Sequence, residues 1–104
     1  MADVCGKGAP AALYMAMTHG FIRERVENEP SPSALLSQVN RMLCEQDLEM
    51  QFVTSFYGIL DTITGTVKYA LAGHPPPFLR KTSGQVEKID GRGIALGVSL
   101  EAEY

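Results

Sequence analysis

Phe52-Val53-Thr54-Ser55-Phe56-Tyr57-Gly58-Ile59-Leu60 runs into Asp61-Thr62-Ile63-Thr64-Gly65 and returns as Thr66-Val67-Lys68-Tyr69-Ala70-Leu71-Ala72. The first run is rich in aromatic and β-branched residues, which suit the pleated surface of a sheet. It predicts a strand over 52–60. Apolar groups fall on both of its faces, so this strand is expected to be central and covered on both sides. The polar link predicts a hairpin loop, with Gly65 in the left-handed conformation that a side chain disfavours. The return run predicts a strand over 66–72, with Val67, Tyr69 and Leu71 on one face. An antiparallel pair therefore anchors the fold.

Upstream of this pair the period is helical. Ala11 to Met17 are apolar nearly all round, which predicts a helix over 10–27 with a well-buried first half. Phe21, Ile22 and Val26 continue the stripe, while Arg23, Glu24, Arg25 and Glu27 face water. Gly20 costs this helix about 1 kcal/mol relative to Ala and marks a bend or a tight contact. Asn28-Glu29-Pro30 ends it. Ser31 as N-cap and Pro32 at the first position open a second helix over 32–45. Leu35, Leu36, Val39, Met42 and Leu43 form its apolar face; Gln38, Asn40 and Arg41 lie on the other. The short link implies an antiparallel helix pair.

Downstream, Gly73-His74-Pro75-Pro76-Pro77 interrupts the ladder, because prolines cannot donate to it. Strands over 78–81 and 85–89 follow, joined by Thr82-Ser83-Gly84. Asp90-Gly91-Arg92-Gly93 is a loop, and Ile94 to Val98 is apolar without a decisive period. Helix, helix, then a meander of strands is an α+β pattern: an antiparallel sheet with a helix pair packed on it. At 104 residues one domain, 1–104, is the expectation.

Composition removes several function classes. Net charge is −3 with a sequence pI of about 5.3, and the nine Lys and Arg are scattered, which argues against a nucleic-acid surface. No apolar run approaches the ~20 residues that span a bilayer, and no stretch reads as a secretory leader, so neither is expected. Two cysteines, Cys5 and Cys44, make no disulfide framework; a reduced, cytoplasmic setting follows.

The chemistry-bearing segment is Asp3-Val4-Cys5-Gly6-Lys7-Gly8-Ala9-Pro10-Ala11-Ala12. Asp3 offers an anionic oxygen to a hard cation such as Mg²⁺ or Mn²⁺. Gly6 and Gly8 allow positive φ and close backbone approach to a ligand. Pro10 suits the first position of a helix, whose free N–H groups face an anion. Lys7 offers a point charge to a phosphate. The same ten residues also read as a strand end, a flexible turn and a capped helix, with Lys7 merely solvated. No room is left for a strand ahead of this motif. Ser99 to Glu103 reads as the start of a further element, so both ends look like cuts through a larger domain.

Other polar residues have plainer readings. His19 is a helix-surface or packing histidine, and His74 a structural one that hydrogen-bonds the backbone. Met15, Met17, Met42 and Met50 fill core space. Tyr14 and Tyr57 are expected to pack with their hydroxyls reaching water. Asp47, Asp61 and Asp90 belong to loops away from the Asp3 motif.

Three blocks in register carry a family resemblance: the Asp3 to Ala12 segment; Asn40-Arg41-Met42-Leu43 leading into Phe52 to Gly58; and Tyr69-Ala70-Leu71-Ala72-Gly73-His74-Pro75-Pro76-Pro77. Gly93 to Val98 adds a fourth. Together they resemble the metal-dependent PPM-type protein serine/threonine phosphatases, in the bacterial sporulation stage II E and sigma-factor-regulating branch. The resemblance implies a β-sandwich flanked by helix pairs, two Mn²⁺ or Mg²⁺ ions, and hydrolysis of phosphoserine or phosphothreonine by a metal-activated water. It implies Asp3 as the bridging metal ligand and the Val4 backbone carbonyl as a neighbouring one. Gly6, Lys7, Gly8 and His74 are implied near the phosphate or the active-site loops. Cys5 stands where the branch usually has serine.

The family's Gly-Gly-Asp block and its later Asp-Gly and Asp-Asp blocks are missing from these 104 residues. One carboxylate cannot hold a dinuclear hard-metal site, so metal binding is expected to be weak. The implied substrate is a phosphorylated signalling protein such as an anti-sigma-factor antagonist. The rival expectation is a catalytically inactive fragment or regulatory binding module of the same fold. A sheet cut from a sandwich also predicts a homodimer or other self-association.

Overall fold

The computed structural model describes residues 1–46, 48 and 51–104. Asp47 and Met50, read above as a loop aspartate and a core methionine, lie outside them. The elements are β1 (Ala2–Val4), α1 (Gly8–Arg25), α2 (Pro32–Cys44), β2 (Val53–Asp61), β3 (Thr66–Ala72), β4 (Phe78–Arg80) and β5 (Val86–Lys88). This is the α+β arrangement that the pattern predicts. A three-stranded antiparallel sheet has the order β1-β2-β3, and β4 with β5 form a separate hairpin.

The sheet exists because β2 alternates. Val53 and Ser55 are buried on the face toward the helices, and Ala70 and Ala72 of β3 join them. Leu35, Leu36, Val39 and Leu43 of α2 recur at helical spacing and are all essentially inaccessible, as is Leu96. With Tyr14 of α1 these side chains make one core. Each fully buried leucine contributes on the order of 2 kcal/mol. Ser31 accepts from the Ala34 N–H, and Pro32 follows in the first turn, so α2 starts where its cap residues dictate.

Several expectations are corrected. A strand does precede the motif: β1 pairs with β2, Asp3 opposite Thr54. Three residues suffice because β2 supplies the template. Helix α1 begins at Gly8, so Pro10 is its third residue, not its first. The first helical turn has no intrahelical acceptors for its N–H groups, so proline is tolerated there too. The first half of α1 is one-sided. Ala11, Tyr14 and Thr18 are buried at helical spacing, while Leu13 is 66% exposed. Among the described residues the helix packs mainly on α2 and β1, with Tyr14 also meeting Gly97, and it buries one contact stripe. Gly20 makes no tight contact; space beside it is open.

The expectation that β2 is covered on both sides also fails among the described residues: Leu60 is 59% exposed on the face away from the helices. That face is covered only where β3 ends. There the Asp90–Gly93 loop lies on Leu71, and the Tyr69 hydroxyl donates to the Asp90 carbonyl at 2.6 Å. Ile94 to Val98 forms no strand, yet Leu96 makes a two-way bridge with Val53. Ser99 to Glu103 contains a turn, with the Ala102 N–H donating to the Ser99 carbonyl. No helix of the described residues is long and apolar enough to cross a membrane.

Asn40 is the largest correction on α2. Predicted on the solvated face, it is fully buried. Its Oδ1 accepts from the Gly97 N–H at 2.8 Å, and its Nδ2 donates to the Ser99 carbonyl at 2.7 Å. A buried amide with both ends partnered costs little and fixes what it touches. Tyr14 is likewise buried rather than reaching water, and burial pushes its phenol pKa up. Gly97 sits at φ 85°, and a Cβ there would collide with the Tyr14 hydroxyl.

Candidate functional site

The β1–β2 ladder places Asp3 directly across from Thr54. Ala2 and Val4 pack toward the core, so alternation along the strand turns Asp3 outward, and it is exposed. The chain then leaves the sheet through Cys5, whose N–H donates to the Phe52 carbonyl at 2.9 Å. Gly6 at φ 92 and Gly8 at φ 79 make the turn into α1, a backbone course that side chains resist. Lys7 between them is extended and exposed, and its side chain does not cap the helix.

His74 joins this group from the far side of the sheet. Its Nδ1 lies 3.0 Å from the Thr54 hydroxyl, and its Nε2 lies 3.1 Å from the Met1 sulfur. The Thr54 hydroxyl is also 3.4 Å from the Asp3 carbonyl, within reach of donating to it. So His74 is held by a side chain, where a backbone partner was expected. Its position is imposed by Gly73 at φ 64. A Cβ on Gly73 would sit 2.8 Å from the Ala95 nitrogen, so only glycine fits. The Gly73 N–H donates to the Gly93 carbonyl at 2.8 Å, and three prolines stiffen the chain beyond His74.

The remaining acids stand apart. Asp61 ends β2, seven residues beyond Thr54, roughly 23 Å away at the rise of a strand. Its Oδ1 accepts from the Ile63 and Thr64 N–H groups at 2.9 and 3.1 Å, and these bonds hold its carboxyl below the usual range. Asp90 contributes its carbonyl to Tyr69. Cys5 and Cys44 are free thiols, and burial raises the pKa of Cys44. His19 is exposed on α1, which selects the surface reading over the packing one.

Among the described residues no three His, Cys, Asp or Glu side chains come together. Asp3 supplies one carboxylate, and Mn²⁺ or Mg²⁺ needs several oxygen donors. These residues alone therefore do not fit the dinuclear centre that the resemblance implies. Two cavities also avoid Asp3. One of about 790 Å³ lies between residues 26–30 and the far end of the β2–β3 hairpin. Another of about 600 Å³ lies on the outer face, among Phe56, Tyr69, Phe78 and Ile89. Sequence reasoning missed Thr54 altogether. Nothing in its neighbours marks it, since its role comes from the cross-strand register.

The family described as stage II sporulation protein E (SpoIIE) matches residues 1–104. Phosphoserine phosphatase RsbU of Bacillus subtilis (strain 168) is 34% identical over 106 residues, covering 100% of this chain and 31% of that protein. Protein IcfG of Synechocystis sp. is 23% identical over 129 residues, covering 98% of this chain and 20% of that protein. The chain thus spans about a third or less of the curated relatives it matches.

Proposed function

The chain belongs to the stage II sporulation protein E family, and from that premise we propose that it is the middle part of a metal-dependent protein serine/threonine phosphatase domain. The observation that carries this reading is the match along the whole chain to a phosphoserine phosphatase, with Asp3 exposed where a glycine turn leads into a helix. Asp3 and the Val4 carbonyl are the residues proposed to ligate Mn²⁺ or Mg²⁺. Lys7, between Gly6 and Gly8, is proposed to meet the phosphate, with His74 in a neighbouring loop. Further oxygen ligands must come from polypeptide other than the described residues. Proposed partners are a phosphorylated signalling protein, such as an anti-sigma-factor antagonist, and a second copy of the chain. The proposed setting is the cytoplasm, without a nucleic-acid or membrane partner.

The test is Mn²⁺-dependent hydrolysis of a phosphoserine peptide by the purified chain. Turnover that is lost in Asp3→Ala, a fall on the order of 100-fold or more, would support the enzyme reading. Mn²⁺ binding by calorimetry should be weak. Tight stoichiometric binding would mean that a second copy supplies ligands. The single carboxylate also favours a second reading, a regulatory or binding module without chemistry. A folded chain with no turnover would select that reading.

A further inference from the structure

Strand β3 pairs with β2 along one edge, and among the described residues no strand pairs with its other edge. Alternation settles which groups that edge carries. Phe56 of β2 exchanges both of its backbone bonds with Met1, so even-numbered residues of β2 turn their N–H and C=O groups toward β1 and odd-numbered ones toward β3. Tyr57, Ile59 and Asp61 stand opposite Ala70, Lys68 and Thr66. Those three β3 residues therefore bond to β2, while Val67 and Tyr69 point their backbone groups outward. Farther along, the same edge is closed: the Gly73 N–H donates to the Gly93 carbonyl, and Gly93 lies against the Leu71 carbonyl. The open stretch runs from Gly65 to Tyr69. Its side chains serve two surfaces. Val67 and Tyr69 line the outer cavity, and Thr66 and Lys68 line the other, together with Glu27, Glu29 and Asp61.

We propose that this edge is the surface through which a second copy of the chain binds: β3 of each copy pairs antiparallel with β3 of the other, about a two-fold axis at Val67. This surface rests on the self-association proposed above and specifies it. The register follows by elimination. Centred on Lys68, the ladder would set two lysines directly against each other, which is unfavourable. Centred on Tyr69, it would need the stretch at Leu71 that Gly93 occupies. Moved from Val67 toward the turn, it loses Tyr69.

Centred on Val67, the two copies of that residue exchange N–H···O bonds, and each Tyr69 N–H donates to the other copy's Gly65 carbonyl. Each Tyr69 ring then lies between its own Gly58 and the other copy's Gly65, where no side chain competes for the space. On the outer face Leu60 and Val67 of one copy meet Val67 and Leu60 of the other, which joins exposed apolar groups into one row. On the opposite face each Lys68 stands across from the other copy's Thr66, whose neighbour on β2 is Asp61. Its ammonium thereby reaches the rim formed by Glu27, Glu29 and Asp61. Charge as well as apolar surface thus matches when the occupant is a second β3.

Light scattering and hydrogen exchange on the full chain test this together. Thr66 and Lys68 are exposed, so changing them leaves the fold in place. Thr66→Lys sets like charges opposite each other at two symmetric positions and should raise the dimer dissociation constant about twofold to thirtyfold. Adding Lys68→Glu puts opposite charges there and should return the constant to the parent value or below. Val67→Pro removes an N–H that no bond within the chain uses, so it should abolish the dimer while circular dichroism stays that of the parent. In the parent, the Val67 and Tyr69 amides should exchange more slowly as concentration rises, whereas those of Lys68 and Ala70 should not respond. A dimer indifferent to the charge exchange, with Val67 and Tyr69 amides that ignore concentration, would overturn the β3 edge and leave self-association standing. A parent chain that is monomeric at tens of micromolar would overturn both.

Discussion

Tyr104 shows how one side chain reports on tertiary packing. The sequence places it at the end of an acidic stretch, Glu101-Ala102-Glu103, where an exposed phenol is the default. In the fold its ring packs against the core, and its hydroxyl is buried without a partner. Burial, with a smaller contribution from Cys44, pushes its pKa from 10.0 up to about 12. The raised value means that folding favours the neutral phenol. Its stabilising share is complete below the unfolded value and is lost as pH rises from about 10 to about 12. Urea midpoints should therefore fall more steeply across that window in the parent chain than in Tyr104→Phe. The variant should keep a residual slope from Tyr14 and Cys44, whose values burial also raises. Equal slopes would place the Tyr104 ring in water. At the same scale the candidate site was half legible. Asp3, Gly6 and Gly8 announce themselves by residue type, whereas Thr54 has no signal until the register of β1 on β2 is known.

Among the elements, the decisive joint is between α2 and the segment after β5. Asn40 bonds two backbone groups there, and Gly97 leaves room for the Tyr14 hydroxyl of α1. Asn40→Ala leaves the half-buried Gly97 N–H and Ser99 carbonyl without their partner and opens a space in the core. It should cost about 2–3 kcal/mol in chemical unfolding. Gly97→Ala combines a clash with a left-handed backbone and should cost roughly 3 kcal/mol. Placing it on a Tyr14→Phe background should recover the clash and leave about 1 kcal/mol of backbone strain. Simple additivity of the two substitutions would refute this contact. Element identity was legible here, with helix and strand bounds close to those read from period, caps and prolines. Which face of α2 holds Asn40 was not, because an amide on an amphipathic helix looks solvated until another segment caps it.

At the scale of the molecule, the helix pair closes one side of the sheet and leaves much of the other open. Leu60 is 59% and Phe78 72% exposed, and Phe56 stacks on Tyr69 beneath the 600 Å³ cavity with little above them. Such a face favours association. The chain is accordingly proposed to self-associate, and light scattering at tens of micromolar should give a mass above 11.3 kDa. Leu60→Lys with Phe78→Lys should return it toward monomer. A parent chain that stays monomeric throughout would show that this face needs no cover. The amino-acid sequence by itself determined the α+β order, the hairpin at Asp61–Gly65, the cap of α2 and the glycine turn after Asp3. Those features rest on local period, proline geometry and positive φ, which neighbours in the chain suffice to set. Only the tertiary structure decided that Ala2–Val4 is a strand, that α1 buries one stripe, that Asn40 and Tyr104 turn inward, and that His74 reaches Thr54. Each of those outcomes depends on contacts between residues distant along the chain, whose register and coverage no local pattern encodes.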